Sequence, residues 1–152
     1  MYRHIIVAVD DSHTSRMALD EAIGLARLHH ARLEIVHAVD ESLVQAFNTH
    51  GVALVNARQL EQALVDNGNT VLSDALERAH AAGVEAGTRL LATQDTHSAD
   101  QIAEAVVDSG ADLLVVGSHG RRGVRRLLLG SVAENLMRKV SISVLIVRGK
   151  HD

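Results

Sequence analysis

The chain has 152 residues, 47% of them apolar, with one Tyr, one Phe, no Trp and no Cys. This length and composition suit one domain over residues 1–152 with an aliphatic core, and exclude a disulfide framework or a thiolate metal site. A formal charge of −4 at pH 7 gives no global electrostatic reason to bind nucleic acid or an anionic membrane.

The N-terminal MYRHIIVAVDDS runs almost directly into a strand-like segment, with no signal-peptide core and no membrane-spanning stretch, so a cytoplasmic protein without membrane insertion is expected. HIIVAVD, residues 4 to 10, is a β-branched apolar run that reads as a strand buried on both faces. Ser12 is placed to cap a helix in which Ala18, Leu19, Ala22, Ile23 and Ala26 recur at spacings of three and four. RLEIVHAVD, residues 32 to 40, completes a β-α-β unit with a right-handed crossover. Residues 41 to 56 lack clear periodicity and read as a connection or a short irregular helix. A long helical pattern starts near Ala57 and runs through Leu60, Leu64, Leu72, Ala75, Leu76 and Ala79, ending before Gly83, with Asn67-Gly68-Asn69 as an expected bend or break.

VEAGTRLLA, residues 84 to 92, reads as a third strand. Ser98 with Gln101 forms a capping-box pattern for a helix carrying Ile102, Ala105 and Val106 and stopping near Gly110. DLLVVG, residues 112 to 117, is a fourth buried strand; Ser131 with Glu134 is a second capping box, and SVLIV, residues 143 to 147, is the last strand. The alternation predicts an open five-stranded parallel sheet with helices on both faces. Ligands of such sheets bind beyond the carboxyl ends of the strands, where Asp10 and Asp11, His37 to Asp40, and the loop after the fourth strand should gather. The ten histidines are dispersed and show no HExxH spacing, which argues against a dedicated histidine metal site.

That loop, GSHGRRGVRRLLLGS at 117–131, fails both common mononucleotide motifs. The dinucleotide fingerprint belongs in the first β-α turn with G-x-G-x-x-G spacing, and a Walker A loop needs a lysine after its last glycine. Anion binding requires neither motif. Gly130 and Ser131 open a helix whose first N–H groups are unpaired and whose dipole end is positive, and Gly117 and Gly120 can admit a ligand without Cβ obstruction or adopt positive φ. The competing reading is purely structural: Ser131 caps its own helix, the glycines serve the turn, and Arg121, Arg122, Arg125 and Arg126 form a solvated face.

Gly117-Ser118-His119-Gly120, nine residues, then Gly130-Ser131 resembles the G-x2-G-x9-G-(S/T) pattern of the ATP-binding branch of the universal stress protein family. IIVAVDDS, IVHAVDE, ADLLVVGSHGRRG and LLLGSVAENLMRK leading into SVLIVR extend the resemblance over nearly the whole chain; it is weakest from 41 to 70. It implies a Rossmann-like fold of the adenine nucleotide alpha hydrolase type. It also implies ATP as ligand, with Mg²⁺ or Mn²⁺ bridging the phosphates. Carried over to this chain, Val9 and Asp10 would lie against the adenosine or the metal, with Asp10 the metal ligand, and the backbone of Ala38 would hydrogen-bond the adenine edge. Val116, Gly117 and His119 would line the ribose and phosphate path, and Gly120, Gly130, Ser131 and Val132 would hold the phosphates. Asp10 also reads as a simple helix-entry residue. One departure is Ser143, where the family usually has a proline before the last strand. The resemblance further implies a homodimer through residues 143–147, whose apolar edge is a liability if left unpaired, and a regulatory protein partner of unknown identity.

These features favour a nucleotide-dependent stress-response or signalling module. The alternatives are a slow ATPase, for which no water-positioning carboxylate or glutamine stands out, and a nucleotide-independent interaction module of the same fold. A phosphoacceptor receiver domain, suggested by Asp10-Asp11 and Lys150, lacks an aspartate at the end of its third strand, since Asp95 falls in the next loop.

Overall fold

A computed structural model describes residues 1–40, 54–93, 96–120 and 129–149. Residues 41–53 of the connection expected at 41–56, Asp95, Gly123, the four arginines 121, 122, 125 and 126, and Lys150 lie outside the described residues. In chain order the elements are β1 (His4–Ala8), α1 (His13–His29), β2 (Arg32–Ala38), α2 (Leu54–Ala81), β3 (Ala86–Leu91), α3 (Ser98–Ser109), β4 (Leu113–Gly117), α4 (Ser131–Lys139) and β5 (Ser143–Val147).

All strand pairs are parallel, in the order β3-β2-β1-β4-β5. Period-two alternation splits the apolar strand residues between two faces. Ile5, Val7, Leu33, Ile35, Leu113 and Val115 pack under α1 and α2 with Leu19, Ile23, Leu72 and Ala79. Ile6, Val36, Leu114 and Val116 pack under α3 and α4 with Ile102, Val106 and Leu136. The five-stranded α/β architecture expected from the sequence is therefore present. The strand order also removes the receiver reading, because the third strand of a receiver lies inside the sheet and here β3 is an edge.

The sequence misplaces three local features. First, α2 begins at Leu54 and continues through Asn67-Gly68-Asn69 without a break. Gly68 is there for close approach: a Cβ would stand 2.7 Å from both His37 Cδ2 and Leu90 Cδ1, so the helix could not lie this near β2 and β3 with a larger residue. Second, Ser98 does not cap α3. His97 takes the extended N-cap conformation, Ser98 is the first helical residue, and Gln101 bonds elsewhere. Third, Gly130 rather than Ser131 is the N-cap of α4, and no side chain caps that helix. By contrast, Ser12 caps α1 as expected, its hydroxyl accepting the Ser15 N–H at 3.3 Å. Gly110 ends α3 in the left-handed conformation, φ 64°.

Candidate functional site at the carboxyl ends of the strands

In a sheet of order 3-2-1-4-5 the chain leaves β1 for one face and β4 for the other, so a crevice opens between their carboxyl ends. The Asp10–Thr14 turn lines one side of it and Ser118–Gly120 the other.

Asp10 forms a closed turn with the start of α1. Its N–H donates to Ser15 Oγ at 2.7 Å, and its Oδ1 accepts the Ser12 N–H at 2.8 Å. Oδ2 lies on the side of Gly120, 3.2 Å from where a Cβ on that residue would be. Across the crevice, the His119 carbonyl accepts from both Thr14 Oγ1 and Ser12 Oγ, the latter at 3.4 Å. The first turn of α1 therefore holds the loop after β4 directly.

Ser118 fastens the other side of that loop. It is 1% exposed; its N–H donates to Val147 O at 2.8 Å, its carbonyl accepts the Gly130 N–H at 2.7 Å, and its hydroxyl lies 2.9 Å from His119 Nδ1. The two halves of the glycine pattern, nine residues apart in sequence, thus meet through one backbone hydrogen bond. At Gly130 a Cβ would stand 2.9 Å from Ser118 O and 3.4 Å from His119 Cα, so glycine is what allows this approach.

Gly117 has a different role from the expected one. Its Cβ position is already occupied by α1, at 2.7 Å from Thr14 Oγ1 and 2.9 Å from the Thr14 carbonyl carbon. Among the described glycines only Gly83 and Gly110 have positive φ. Gly117 therefore serves the close packing of α1 against the end of β4 and offers no open approach on its Cβ side, whereas the Cβ position of Gly120 meets only the Asp10 carboxylate.

Of the other sequence-predicted residues, Val9 and Val116 are buried beneath the crevice, 6% and 3% exposed. Ala38 is half-buried at the carboxyl end of β2, opposite Leu91. Ser131 and Val132 are exposed at the start of α4. Because Gly130 occupies the cap position, the Ser131 hydroxyl is not used as the α4 cap. The first N–H groups of that helix have no intrahelical acceptor, while Glu134 N–H is the one that closes on Gly130 O, at 2.9 Å.

Sequence reasoning missed the polar residues that position the site. Thr14 and Ser15 are 7% and 4% exposed, and they stand four residues before Ala18 and Leu19 on the same buried stripe, a spacing that could have flagged them. Gln101, 2% exposed, accepts the Thr93 N–H at 3.0 Å and donates to Val39 O at 3.2 Å and Thr96 O at 3.0 Å. It binds the chain after β3 to the end of β2.

The sheet order, with helices on both faces, defines a doubly wound α/β protein, a class whose ligands generally bind at the switch-point crevice beyond the carboxyl ends of the strands. The chain belongs to the universal stress protein family, whose sequence profile matches residues 1–148. It is 32% identical over 151 residues to universal stress protein YxiE of Bacillus subtilis, covering 97% of this chain and all of that one. A crystal structure of a universal stress protein family member from Burkholderia pseudomallei is 35% identical, covers 96% of each chain and superposes with a TM-score of 0.77. A universal stress protein solved in complex with cAMP is 30% identical, covers 97% of each chain and gives a TM-score of 0.65. Among the described residues no helix is long and apolar enough to cross a membrane.

Proposed function

We propose that this protein binds an adenine nucleotide, ATP with Mg²⁺ or Mn²⁺, in the crevice between β1 and β4, and acts in the cytoplasm as a nucleotide-dependent stress-response module. The observation that carries the reading is the fastened glycine loop, Ser118 to Gly120 bonded to Gly130, next to an α4 start whose cap position holds no side chain. Gly130 N–H is committed to Ser118 O. The phosphate donors are therefore the N–H groups of Ser131 and Val132 and the Ser131 hydroxyl, in the positive field of the helix. Gly120 keeps the opposite wall low, and His119 lines it.

The adenosine end extends toward Val9 and Ala38, with Val116 and Gly117 forming the floor. Mg²⁺ is usually held by one or two carboxylates together with phosphates and water. Among the described residues no three His, Asp or Glu side chains form a metal cage, so Asp10 fits as a single protein ligand whose metal arrives with the phosphates. The neighbour that holds cAMP supports an adenine ligand in this family. Among the described residues β5 has one strand neighbour, β4, and Val144, Leu145 and Ile146 are half-buried along it; its pairing with a second copy completes the proposed homodimer. The nucleotide state would be read by a regulatory protein partner.

Equilibrium dialysis against ATP, with Gly120→Val and Gly130→Val as comparisons, tests the site. Binding by the parent and its loss in both variants is expected. Unchanged binding in both would place the nucleotide elsewhere, and no binding by the parent would leave a nucleotide-independent interaction module.

A further inference from the structure

The last rung between β1 and β2 is the Val9 N–H, which donates to Val36 O at 2.9 Å. In a parallel ladder one residue bonds alternately to two residues of the facing strand, so the Val9 carbonyl would next receive the Ala38 N–H. That carbonyl lies instead 2.8 Å from His37 Nδ1. A carbonyl only accepts, so Nδ1 carries the proton. The ring has little freedom to leave: His37 is 5% exposed, and Gly68 of α2 lies over it, with its Cβ position 2.7 Å from Cδ2 and 3.3 Å from Nε2.

On the other side of Ala38, Val39 N–H donates to Leu91 O at 2.8 Å, and Val39 O accepts from the buried Gln101 amide at 3.2 Å. Val39, the residue after Ala38, is therefore held on its N–H by the β3 backbone and on its carbonyl by the Gln101 side chain. Ala38 itself ends β2 at the carboxyl end of the sheet, opposite Leu91 of β3.

We infer that His37 is a positioning residue for base recognition: its imidazole takes the Val9 carbonyl out of the β1–β2 ladder, and so keeps the Ala38 N–H available as a donor to the base. The inference rests on the nucleotide reading of the crevice. It also sets the purine class. Adenine presents a ring acceptor, N1, to such a donor, whereas guanine carries an N1–H there, and a donor facing a donor leaves both unsatisfied.

Two variants test this. His37→Leu removes the donor and lets Ala38 N–H close on the Val9 carbonyl. His37→Asn keeps an N–H near the position of Nδ1 and should rescue. Without nucleotide, amide hydrogen exchange at Ala38 should be fast in the parent and in the Asn variant and slow in the Leu variant. In titrations with ATP, GTP and inorganic tripolyphosphate, the Leu variant should bind ATP about 3- to 10-fold more weakly and lose part of its preference over GTP, with tripolyphosphate binding unchanged. The Asn variant should match the parent. An Ala38 amide already slow in the parent, or ATP binding and base preference unchanged in the Leu variant, would overturn the inference. A parent that binds tripolyphosphate but not ATP would refute the nucleotide reading, and amide exchange would still decide whether His37 opens the ladder.

Discussion

Gly117→Ala is the most direct probe of how the loop after β4 is fastened. The new methyl would stand 2.7 Å from Thr14 Oγ1, 2.9 Å from the Thr14 carbonyl carbon and 3.0 Å from Ser15 N. Two of these are backbone atoms of α1, so no rotamer change relieves them, and either the end of β4 or the start of α1 must move. Overpacking of this kind costs about 1–3 kcal/mol. Displacing Thr14 also weakens its hydrogen bond to the His119 carbonyl, adding about 1 kcal/mol. The expected loss is about 2–4 kcal/mol, or roughly 4–16 °C in Tm for a domain of this size. Urea unfolding with circular dichroism measures it directly.

Gly24→Ala is the matched control. Gly24 lies within α1, and its Cβ position meets nothing within 4 Å, so helix propensity should raise stability by about 0.8–1 kcal/mol. In a Thr14→Ala background the Gly117→Ala penalty should shrink by about 0.5–1 kcal/mol, since the hydroxyl clash is gone while the backbone clash remains. A Gly117→Ala protein as stable as the parent would refute the close-packing role of this glycine.

Gln101→Leu should destabilise by about 1–3 kcal/mol, read by urea unfolding, because the Thr93 N–H and the Val39 carbonyl lose their partner at a buried position. At the opposite end of the sheet, burial pushes the Asp112 carboxyl up, but hydrogen bonds from the backbone N–H groups of Arg3, His4 and Asp112 itself, with the Arg3 charge, outweigh it and hold the carboxyl below its usual value of 3.8. A depressed folded-state pKa contributes stability that is present above the unfolded value and lost as pH falls through the folded one. The parent should therefore lose more Tm than Asp112→Asn on acidification below about pH 4, and parallel Tm curves for the two would refute the role of these bonds. Leu145→Glu should convert the proposed β5 homodimer to monomer in sedimentation velocity, with β5 still paired to β4.

The sheet was legible because its strands are continuous aliphatic runs separated by helices with clear three-four spacing, and β5 matches the sequence reading residue for residue. The local errors have one physical origin. Ser98-x-x-Gln101 and Ser131-x-x-Glu134 both carry the letters of a capping box. The register of a cap, however, is set by which residue takes extended φ and ψ, and His97 and Gly130 do so one position earlier. Gln101 is then drawn to three backbone groups outside its own helix, a competition that no local pattern records. Gly68 and Gly117 were misread for a related reason. Both read locally as chain breaks or ligand openings, yet what they accommodate is a distant segment: His37 and Leu90 for one, Thr14 for the other.

The same contacts indicate how ligand binding at the proposed site would reach the rest of the molecule. Ser118 donates to Val147 at the end of β5 and accepts from Gly130 at the start of α4, while the adjacent His119 carbonyl is held by α1. A phosphate bound at Ser131 and Val132 therefore pulls on the residue that also fixes the end of the proposed dimer strand. Interactions of this kind couple two equilibria only when the ligand favours one arrangement of the shared element over the other. Ser118 supplies such a shared element without a long relay, since both hydrogen bonds belong to one peptide-linked residue. Coupling predicts that ATP tightens the homodimer and that dimerisation tightens ATP binding by the same factor. Sedimentation velocity across a concentration series, with and without ATP, gives that factor. Equal dimer dissociation constants in the two series would mean that Ser118 holds both ends rigidly and transmits nothing.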